Sequence, residues 1–321
     1  MYASDPAALS GSAAAERTDP RLWIDDDPLL RSIGATPLVP LRRIARSAGG
    51  GFELYGKAEF RNPTGSVKDR AALSIVRRAL DDGTLAPGRT LLDASSGNTA
   101  VAYAMIGARL GFPVELYVPA NIRPDRLARL HAHGATVHFT PRDDGTDGAQ
   151  RAARAAAVAE PARYFYADQY NNPANPDAHY VTTGPEIWRQ SRGRITHLVA
   201  GIGTGGTISG CSRFLRERSP EIRVVGVEPT GPLHGLEGLK HLPTALRPGT
   251  FDPAGVDETV RVETEEAQDG AERLAREEGL SVGPSAGAAL VAALRVAARS
   301  PGGVIVAVLP DGGRPAGEVP L

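Results

Sequence analysis

The stretch that decides the fold class reads THLVAGIGTGGT over residues 196–207. Its apolar run predicts a buried strand over 196–200, and the glycine-rich turn that follows leads into a helical pattern over 207–218. A second apolar strand is predicted over 222–227. Strand, helix and strand in this order are typical of a parallel sheet whose strands are joined by helices. We therefore predict an α/β protein.

The same alternation extends along the chain in both directions. Strands are also predicted at 52–60, 90–93, 113–118, 136–140 and 303–309, and helices at 67–82, 99–110, 123–133, 149–159, 185–190, 264–278 and 286–298. Many of the strands are continuous apolar runs, which is typical of sheets covered by helices on both faces. The pattern predicts two packed α/β units. Residues 230–256, with four prolines and five glycines, interrupt it and form either an active-site loop or a surface excursion.

Composition and charge narrow the function classes. The 321 residues include 36 Lys and Arg against 37 Asp and Glu, and a formal net charge of −1 argues against a general nucleic-acid binder. No run approaches about 18 consecutive apolar residues, which argues against a membrane protein. Residues 1–27 lack the pattern of a secretory signal, so we expect a flexible tail and a cytoplasmic protein. The single cysteine, Cys211, permits no internal disulfide, and we expect no metal site.

Lysine is rare in this chain. Only Lys57, Lys68 and Lys240 are lysines among the 36 basic residues. In a chain that otherwise uses arginine, a retained lysine is a candidate for chemistry that arginine cannot do, because a buried lysine can lose its proton and attack a carbonyl. The alternative is that lysine remains by chance at some of the three positions. Lys68 follows the turn NPTGSV at 62–67 and is predicted in the first turn of a helix, where the helix dipole eases deprotonation. It is either an imine-forming lysine or a solvated lysine paired with Asp69.

Two further segments place backbone N–H groups and hydroxyls at the start of a helix. SSGNT at 95–99 predicts a site for a carboxylate, or a simple N-cap. GIGTGGT at 201–207 predicts a site for a terminal phosphate. The second segment also matches G-x-G-x-x-G, and Glu228 follows at the end of the next strand, so a nicotinamide-dependent oxidoreductase is an alternative.

Together these segments resemble the cysteine synthase and cystathionine β-synthase family of pyridoxal-phosphate-dependent enzymes, of fold type II. The matching segments are IGATPLV at 33–39, KAEF at 57–60, NPTGSVKDR at 62–70, SSGNT at 95–99, QYNNPANP at 169–176, His179, TTGPEI at 182–187, GTGGT at 203–207, VEP at 227–229 and GPSAG at 283–287. The resemblance implies two subdomains of mainly parallel sheets flanked by helices, similar to tryptophan synthase β. We expect one catalytic unit over 28–314, with one subdomain over about 50–165 and the other over about 28–49 plus 166–314.

The resemblance also implies roles for individual residues. The residues implied to hold the cofactor, pyridoxal 5'-phosphate, are Lys68, Asn98, Gly203, Thr204, Gly205, Gly206, Thr207 and Ser285, and those implied to bind the substrate carboxylate are Ser95, Ser96, Thr99 and Gln169. Lys68 forms the covalent link, Asn98 bonds the ring hydroxyl oxygen, and Ser285 faces the pyridine nitrogen. Because a hydroxyl does not hold that nitrogen protonated, Ser285 implies a neutral ring, which favours elimination over transamination.

The reaction that the resemblance implies is β-replacement. Lys68 removes the α-proton of an activated serine, the leaving group departs to give an aminoacrylate, and a nucleophile adds. We expect O-acetylserine or O-phosphoserine as substrate, a sulfur nucleophile, cysteine or an S-substituted cysteine as product, and a homodimer. The alternatives are a related β-substitution or β-elimination enzyme of specialised metabolism, the oxidoreductase above, and a catalytically silent relative.

A last feature of the resemblance concerns the choice of nucleophile. The segment GLEGLKHLP at 235–243 resembles the loop that carries paired basic residues beside the reacting atoms in the B-type cysteine synthase. Here the pair is Lys240 and His241. A positive pair favours an anion such as thiosulfate by steering and direct pairing. The alternative is that Lys240 is merely exposed on a loop.

Overall fold

The computed structural model describes residues 24–313. The strands in this range are β1 (Leu38–Pro40), β2 (Glu53–Ala58), β3 (Thr90–Ala94), β4 (Val114–Pro119), β5 (Thr136–Thr140), β6 (Tyr164–Tyr166), β7 (His197–Gly201), β8 (Arg223–Pro229), β9 (Glu258–Val262) and β10 (Val304–Leu309). The α-helices are α1 (Pro28–Arg31), α2 (Arg42–Ser47), α3 (Lys68–Asp81), α4 (Asn98–Leu110), α5 (Pro124–Ala132), α6 (Gly145–Ala159), α7 (Ala174–Ala178), α8 (Gly184–Gln190), α9 (Gly206–Arg218), α10 (Thr264–Glu278) and α11 (Pro284–Ala297). None of the helices described is long and apolar enough to cross a membrane.

The strands form two sheets. The larger sheet has the order β1-β2-β10-β7-β8-β9, and every neighbouring pair is parallel except the antiparallel pair β1 and β2. The smaller sheet, in the order β5-β4-β3-β6, is parallel throughout. The predicted α/β class with mainly parallel sheets is therefore confirmed.

Strand β10, inside the larger sheet, shows why its sequence does not alternate between apolar and polar residues. All six residues of β10 are buried between β2 and β7. Ile305 and Leu309 enter one apolar cluster, whereas Val306 and Val308 enter another. Successive side chains of a strand point to opposite faces, so an apolar run is stable only when both faces are covered.

The structure differs from the predicted boundaries in two places. Strand β2 lies after residue 50, in the range assigned to the first subdomain, but it pairs with β1 and β10 of the larger sheet. An apolar run identifies a strand without specifying the sheet that it joins. Residues 24–27 fall within the predicted flexible tail, but Ile24 is buried, and Asp27 caps α1 by accepting two backbone N–H bonds of 2.9 Å. Residues 1–23 of that tail lie outside the described range.

Candidate active site

A cleft lies where the carboxyl ends of strands from both sheets meet, the usual place for a ligand in an α/β protein. Its volume is about 630 Å³. The loop after β3, the glycine-rich loop after β7 and part of the segment 230–256 line it. An inner recess shares Lys68, Asn98 and Thr204 with the cleft and reaches the end of β10.

The predicted site residues come together here from distant parts of the chain. Those that line the cleft are Lys68, Ser95, Ser96, Asn98, Thr99, Gln169, Thr204, Lys240 and His241, and those that line the recess include Gly203, Gly205, Thr207 and Ser285. The remaining one, Gly206, begins α9 and packs against Asn175.

Lys68 is the first residue of α3, as predicted, and lies where the cleft and the recess meet. The turn before it is held by Gly65, whose φ of 90° favours glycine, and by a 2.8 Å bond from the Val67 N–H to the Pro310 carbonyl. Burial lowers the pKa of Lys68, against an opposing effect of the Asp311 carboxylate. The neutral amine that attacks a carbonyl is thereby favoured.

The other two lysines are engaged by protein partners. Lys57 is fully buried, and its Nζ donates hydrogen bonds of 2.6, 2.6 and 3.0 Å. The acceptors are Thr36 O, Glu186 Oε2 and Gln190 Oε1. These bonds use all three hydrogens of an ammonium group. Lys240 Nζ pairs with Asp147 Oδ1 at 3.2 Å. Lys68 is therefore the lysine best placed for covalent chemistry.

The glycine-rich loop after β7 forms a cradle for an anion at the start of α9. Gly205 has a φ of 82°, and a Cβ at Gly203 would lie 2.0 Å from the Gly238 carbonyl oxygen, so the loop requires a bare backbone. Thr204 Oγ1 accepts hydrogen bonds from Asn175 Nδ2 at 3.0 Å and from the Gly206 N–H at 3.3 Å, which leaves its own hydrogen to donate. Helix N–H groups and a hydroxyl donor fit a phosphate.

A second hydroxyl of the cradle contacts a buried histidine. Thr207 Oγ1 lies 3.2 Å from Nε2 of His179, and Nδ1 of the same ring lies 2.8 Å from Thr183 Oγ1. Burial, assisted by the nearby Arg70 guanidinium, lowers the pKa of His179 to about 3. The imidazole at this site is therefore neutral. In the sequence, His179 belongs to the segments that carry the resemblance, without a predicted role of its own.

The loop at 95–99 leads into α4 and lies against Gln169. Thr99 Oγ1 donates to Gln169 Oε1 at 2.7 Å, so the amide nitrogen is the group that Gln169 can offer to a carboxylate. Asp93, in β3, connects the end of that strand, which leads into the loop, with Gln169. It accepts hydrogen bonds from the Ala94 N–H at 2.8 Å and the Gln169 N–H at 3.3 Å. Burial raises the pKa of Asp93 to about 7. An acidic residue inside an apolar strand is the sequence feature that reveals this position.

Asp311 is a further residue of the recess, and it lies outside the predicted site residues. Its Oδ1 accepts a bond from Ser285 Oγ at 2.7 Å, and its Oδ2 accepts one from Asn98 Nδ2 at 3.0 Å. The two residues expected to contact the cofactor ring are thus held by one carboxylate. The feature that identifies Asp311 is its position just after β10, at the edge where parallel strands place ligand-binding residues.

The irregular segment 230–256 lines the cleft and is not a mere surface excursion. Lys240 Nζ lies 4.8 Å from the ring centroid of Tyr170 as well as pairing with Asp147. His241 Nδ1 lies 2.8 Å from Thr244 Oγ1. Both predicted basic residues therefore face the cleft, and Lys240 is not simply exposed. Their effect on the nucleophile stays a prediction.

Glu228, the acidic residue that a dinucleotide site would need, forms hydrogen bonds to other residues. Glu228 is buried at β8, where Oε1 accepts a bond from Arg261 Nε at 3.0 Å and Oε2 one from the Leu242 N–H at 3.3 Å. It lines a different cavity, which it shares with Leu242. The geometry therefore gives no support to the oxidoreductase alternative.

The donor set of this site fits pyridoxal phosphate. Lys68 offers an amine with a lowered pKa for the aldehyde, and the bare backbone of the cradle with its threonine hydroxyls suits the phosphate. Asn98 and Ser285 supply polar groups for the ring. Over residues 24–313, no three His, Cys, Asp or Glu side chains form a group that could hold a metal ion.

Comparisons with known proteins agree with this assignment. A family model described as "Pyridoxal-phosphate dependent enzyme" matches residues 29–311. The chain is 47% identical over 292 residues to a cysteine synthase of Aquifex aeolicus, covering 89% of each chain. It is 43% identical over 285 residues to cysteine synthase B of Salmonella typhimurium, covering 89% of this chain and 92% of the relative. The crystal structure of a cysteine synthase of Entamoeba histolytica superposes with a TM-score of 0.85 at 30% identity, covering 98% of this chain and 91% of the other.

Proposed function

The chain belongs to the family of pyridoxal-phosphate-dependent enzymes, and we propose that it makes cysteine by β-replacement on an activated L-serine. The activated serine is O-acetylserine or O-phosphoserine, and the nucleophile is a sulfur compound. The observation that carries the proposal is the position of Lys68, at the junction of an anion cradle and a second helix-start loop suited to a carboxylate. Relatives named cysteine synthase and cysteine synthase B support the same reaction.

Pyridoxal phosphate, when bound, supplies a conjugated ring that draws electrons from the substrate α-carbon. The residues of the chain bind the cofactor and supply the base. The cradle over 203–207 holds the phosphate, which fixes the ring relative to Lys68. Lys68 Nζ, whose pKa is lowered by burial, is the base that takes the α-proton and later returns it. No other lysine in the described part of the chain lines the recess.

The substrate carboxylate is held at the start of α4 in this proposal. The backbone N–H groups and hydroxyls of the loop at 95–99 favour an anion, and Gln169 adds an amide donor from the other side. Asp93 ties the loop and Gln169 together through two backbone bonds, so both donors keep one relative position. A carboxylate fixed in this way presents the α-proton to Lys68 consistently.

The proposal is tested by supplying the cofactor-loaded protein with O-acetyl-L-serine or O-phospho-L-serine, each with sulfide or thiosulfate. We expect cysteine or S-sulfocysteine to form in equal amount to the acetate or phosphate released. L-serine, which lacks an activated leaving group, is the matched control. Failure of every pair to give a β-substituted product, with the cofactor attached at Lys68, would contradict the proposal. The pair with the highest kcat/KM identifies the leaving group and the nucleophile.

We also infer a homodimer in a reducing compartment such as the cytoplasm. Cys211, the single cysteine, is buried and forms no disulfide. The homodimer follows from the family resemblance. Light scattering of the eluted peak in size-exclusion chromatography tests it, and a monomer at micromolar concentration would contradict it.

A further inference from the structure

Arg126 contacts two parts of the cleft that belong to different sheets. It lies in the first turn of α5, which follows β4 of the smaller sheet. Its Nη1 donates to the Ser96 carbonyl oxygen at 3.2 Å, and its Nη2 donates to Glu237 Oε2 at 2.7 Å. Ser96 belongs to the loop suited to a carboxylate, and Glu237 belongs to the segment 230–256, which follows β8 of the larger sheet. One guanidinium group therefore bridges the two walls of the cleft.

The segment that carries Glu237 lies against the phosphate cradle. The Lys240 N–H donates to the Ile202 carbonyl oxygen at 2.9 Å. A Cβ at Gly203 would lie 2.0 Å from the Gly238 carbonyl oxygen, so the two backbones are in direct contact. Glu237 itself lines both the cleft and the recess. Its backbone is therefore held in place relative to the cradle.

The first turn of a helix is an unfavourable place for an arginine. Arg126 is the third residue of α5, and the positive end of the helix dipole disfavours a cation there. The Glu237 carboxylate compensates for this, and Arg123 makes a second, longer contact with Glu237 at 3.6 Å. A Cβ at Gly97 would lie 3.1 Å from Arg126 Nη1, and the Arg126 side chain is only 15% exposed. The guanidinium is therefore packed on the loop at 95–99.

The two contacts of Arg126 link the carboxylate loop to the cofactor side of the cleft. The planar guanidinium fixes the angle between them, and Lys68 lies where the cleft and the recess meet. We propose that Arg126 and Glu237 are positioning residues that hold the carboxylate loop at the distance from the cofactor which the substrate must span. The pair thereby increases the affinity for the substrate. This role rests on the proposed function, because it needs a substrate that carries a carboxylate.

A purely electrostatic role is the alternative, and the two roles predict opposite effects for Glu237→Ala. A glutamate that acts only through its charge repels the substrate carboxylate, so its removal would strengthen binding. A glutamate that anchors Arg126 favours binding, so its removal would weaken it. Arg126→Gln weakens binding in both cases, so Glu237→Ala is the variant that decides. The Glu237 side chain is 41% exposed, and we expect this variant to fold.

The test measures the Kd of L-serine by the change in cofactor absorbance, in the full-length protein loaded with pyridoxal phosphate. L-serine carries the α-carboxylate but no activated leaving group, so its binding is measured without β-replacement. We expect the Kd to rise several-fold in Glu237→Ala and about tenfold in Arg126→Gln, as for a partly exposed ion pair and a hydrogen bond from a charged group. The double variant should match Arg126→Gln within about twofold, because both residues act through one contact.

Arg213→Gln is the matched control. Arg213 pairs with Asp177 at 2.8 Å, both side chains are at least 41% exposed, and Arg213 lies outside the lining of the cleft. This variant should keep the wild-type Kd. Steady-state rates give a second readout, since the KM of the activated serine should rise in Glu237→Ala while the KM of the nucleophile does not. A general loss of structure would instead release the cofactor from Lys68.

An unchanged or lower Kd in Glu237→Ala, with the cofactor still attached, would contradict the positioning role. A double variant whose loss of binding free energy is the sum of the two single losses would contradict it as well, because the residues would then act independently. A wild-type protein that carries the cofactor on Lys68 but binds neither L-serine nor an activated serine would instead contradict the proposed function. Binding by the wild type therefore distinguishes the two failures.

Discussion

Thr207 Oγ1 and His179 Nε2 lie 3.2 Å apart, and the tautomer of the neutral histidine decides whether the Thr207 hydroxyl donates to it or accepts from it. A neutral imidazole donates from one nitrogen and accepts at the other. If Thr207 donates its hydrogen to a phosphate, Nε2 must donate to Thr207, and Nδ1 must accept from Thr183 Oγ1 at 2.8 Å. With this tautomer, the three side chains direct a hydroxyl hydrogen into the cradle.

The first prediction concerns the affinity for the cofactor. His179→Leu should weaken pyridoxal phosphate binding several-fold to about tenfold, because it removes the hydrogen bond to Thr207 and a bond between uncharged groups contributes roughly 0.5–1.5 kcal/mol. His179→Gln should lose less, because its amide can still donate to Thr207. The Kd is measured by titrating cofactor into the cofactor-free protein. Equal Kd values for wild type and His179→Leu would show that His179 does not act on the phosphate site.

The second prediction concerns the nucleophile. Lys240 is paired with Asp147, which partly balances its positive charge. Removing the lysine and removing the carboxylate should therefore have opposite effects on an anionic nucleophile. Lys240→Ala should lower kcat/KM for thiosulfate several-fold more than for sulfide, whereas Asp147→Asn should raise it for thiosulfate. Both effects should shrink at high ionic strength, because salt screens charges near a cleft surface.

His241→Gln is the companion variant for this experiment. It keeps a polar side chain of similar length while it removes the imidazole that faces the cleft. A smaller selective loss with thiosulfate is expected. Equal losses with both nucleophiles in Lys240→Ala, or none with either, would leave the segment around Lys240 without a role in choosing the nucleophile.

The third prediction concerns stability and pH. Burial raises the pKa of Asp93 to about 7, so the folded protein keeps a proton that the unfolded chain releases near pH 4. The folded state therefore binds more protons between these values, and this group makes the protein less stable as the pH rises from about 4 to about 7. Asp93→Asn removes this dependence of the free energy of unfolding on pH. The free energy of unfolding of the wild type should fall relative to the variant by on the order of 4 kcal/mol over this range.

The measurement is urea unfolding of wild type and Asp93→Asn at a series of pH values. The substituted asparagine changes the hydrogen bonds to the Ala94 and Gln169 N–H groups. This change adds a difference in the free energy of unfolding between the two proteins that does not depend on pH. The slope of the difference, and not its size, is therefore the readout. A constant difference from pH 4 to 8 would mean that Asp93 is ionised in the folded protein throughout.

The fourth prediction separates a structural lysine from the chemical one. Lys57→Met removes one member of a buried ion pair and leaves Glu186 with fewer partners, which should destabilise the protein by about 3–5 kcal/mol. The cofactor should still attach to Lys68, because Lys57 bonds only to groups outside the recess. Thermal unfolding and cofactor absorbance are measured on the same sample. A stable variant that has lost the covalently bound cofactor would contradict a purely structural role for Lys57.

The fold was predictable wherever the segments were long and apolar. β10 and β7 were identified because helices cover both faces and leave no polar alternation. β1 and β6 were missed because each has only three residues, too few to show a period. β9 was missed at the sheet edge, where it follows the irregular segment and exposes alternate residues.

The site was predictable where function requires a local motif. The glycine-rich cradle and the turn before Lys68 are motifs of adjacent residues, so the sequence displays them directly. Asp311 has no such motif, because its partners Asn98 and Ser285 are distant in sequence and meet it only in the folded protein. The ion pair between Lys240 and Asp147 likewise joins segments that are 93 residues apart. Contacts of this kind follow from topology, which local patterns do not specify.

The fifth prediction is the one that tests the central claim, that Lys68 is the residue which holds the cofactor. Borohydride reduction of the loaded protein, followed by digestion and mass spectrometry, should find the reduced cofactor on the peptide that contains Lys68. Lys68→Ala and Lys68→Arg should carry none, because arginine stays protonated and no other lysine of the described chain lines the recess. A cofactor mass on Lys57 or Lys240 of the wild type, or a covalent adduct that survives in Lys68→Arg, would contradict the account.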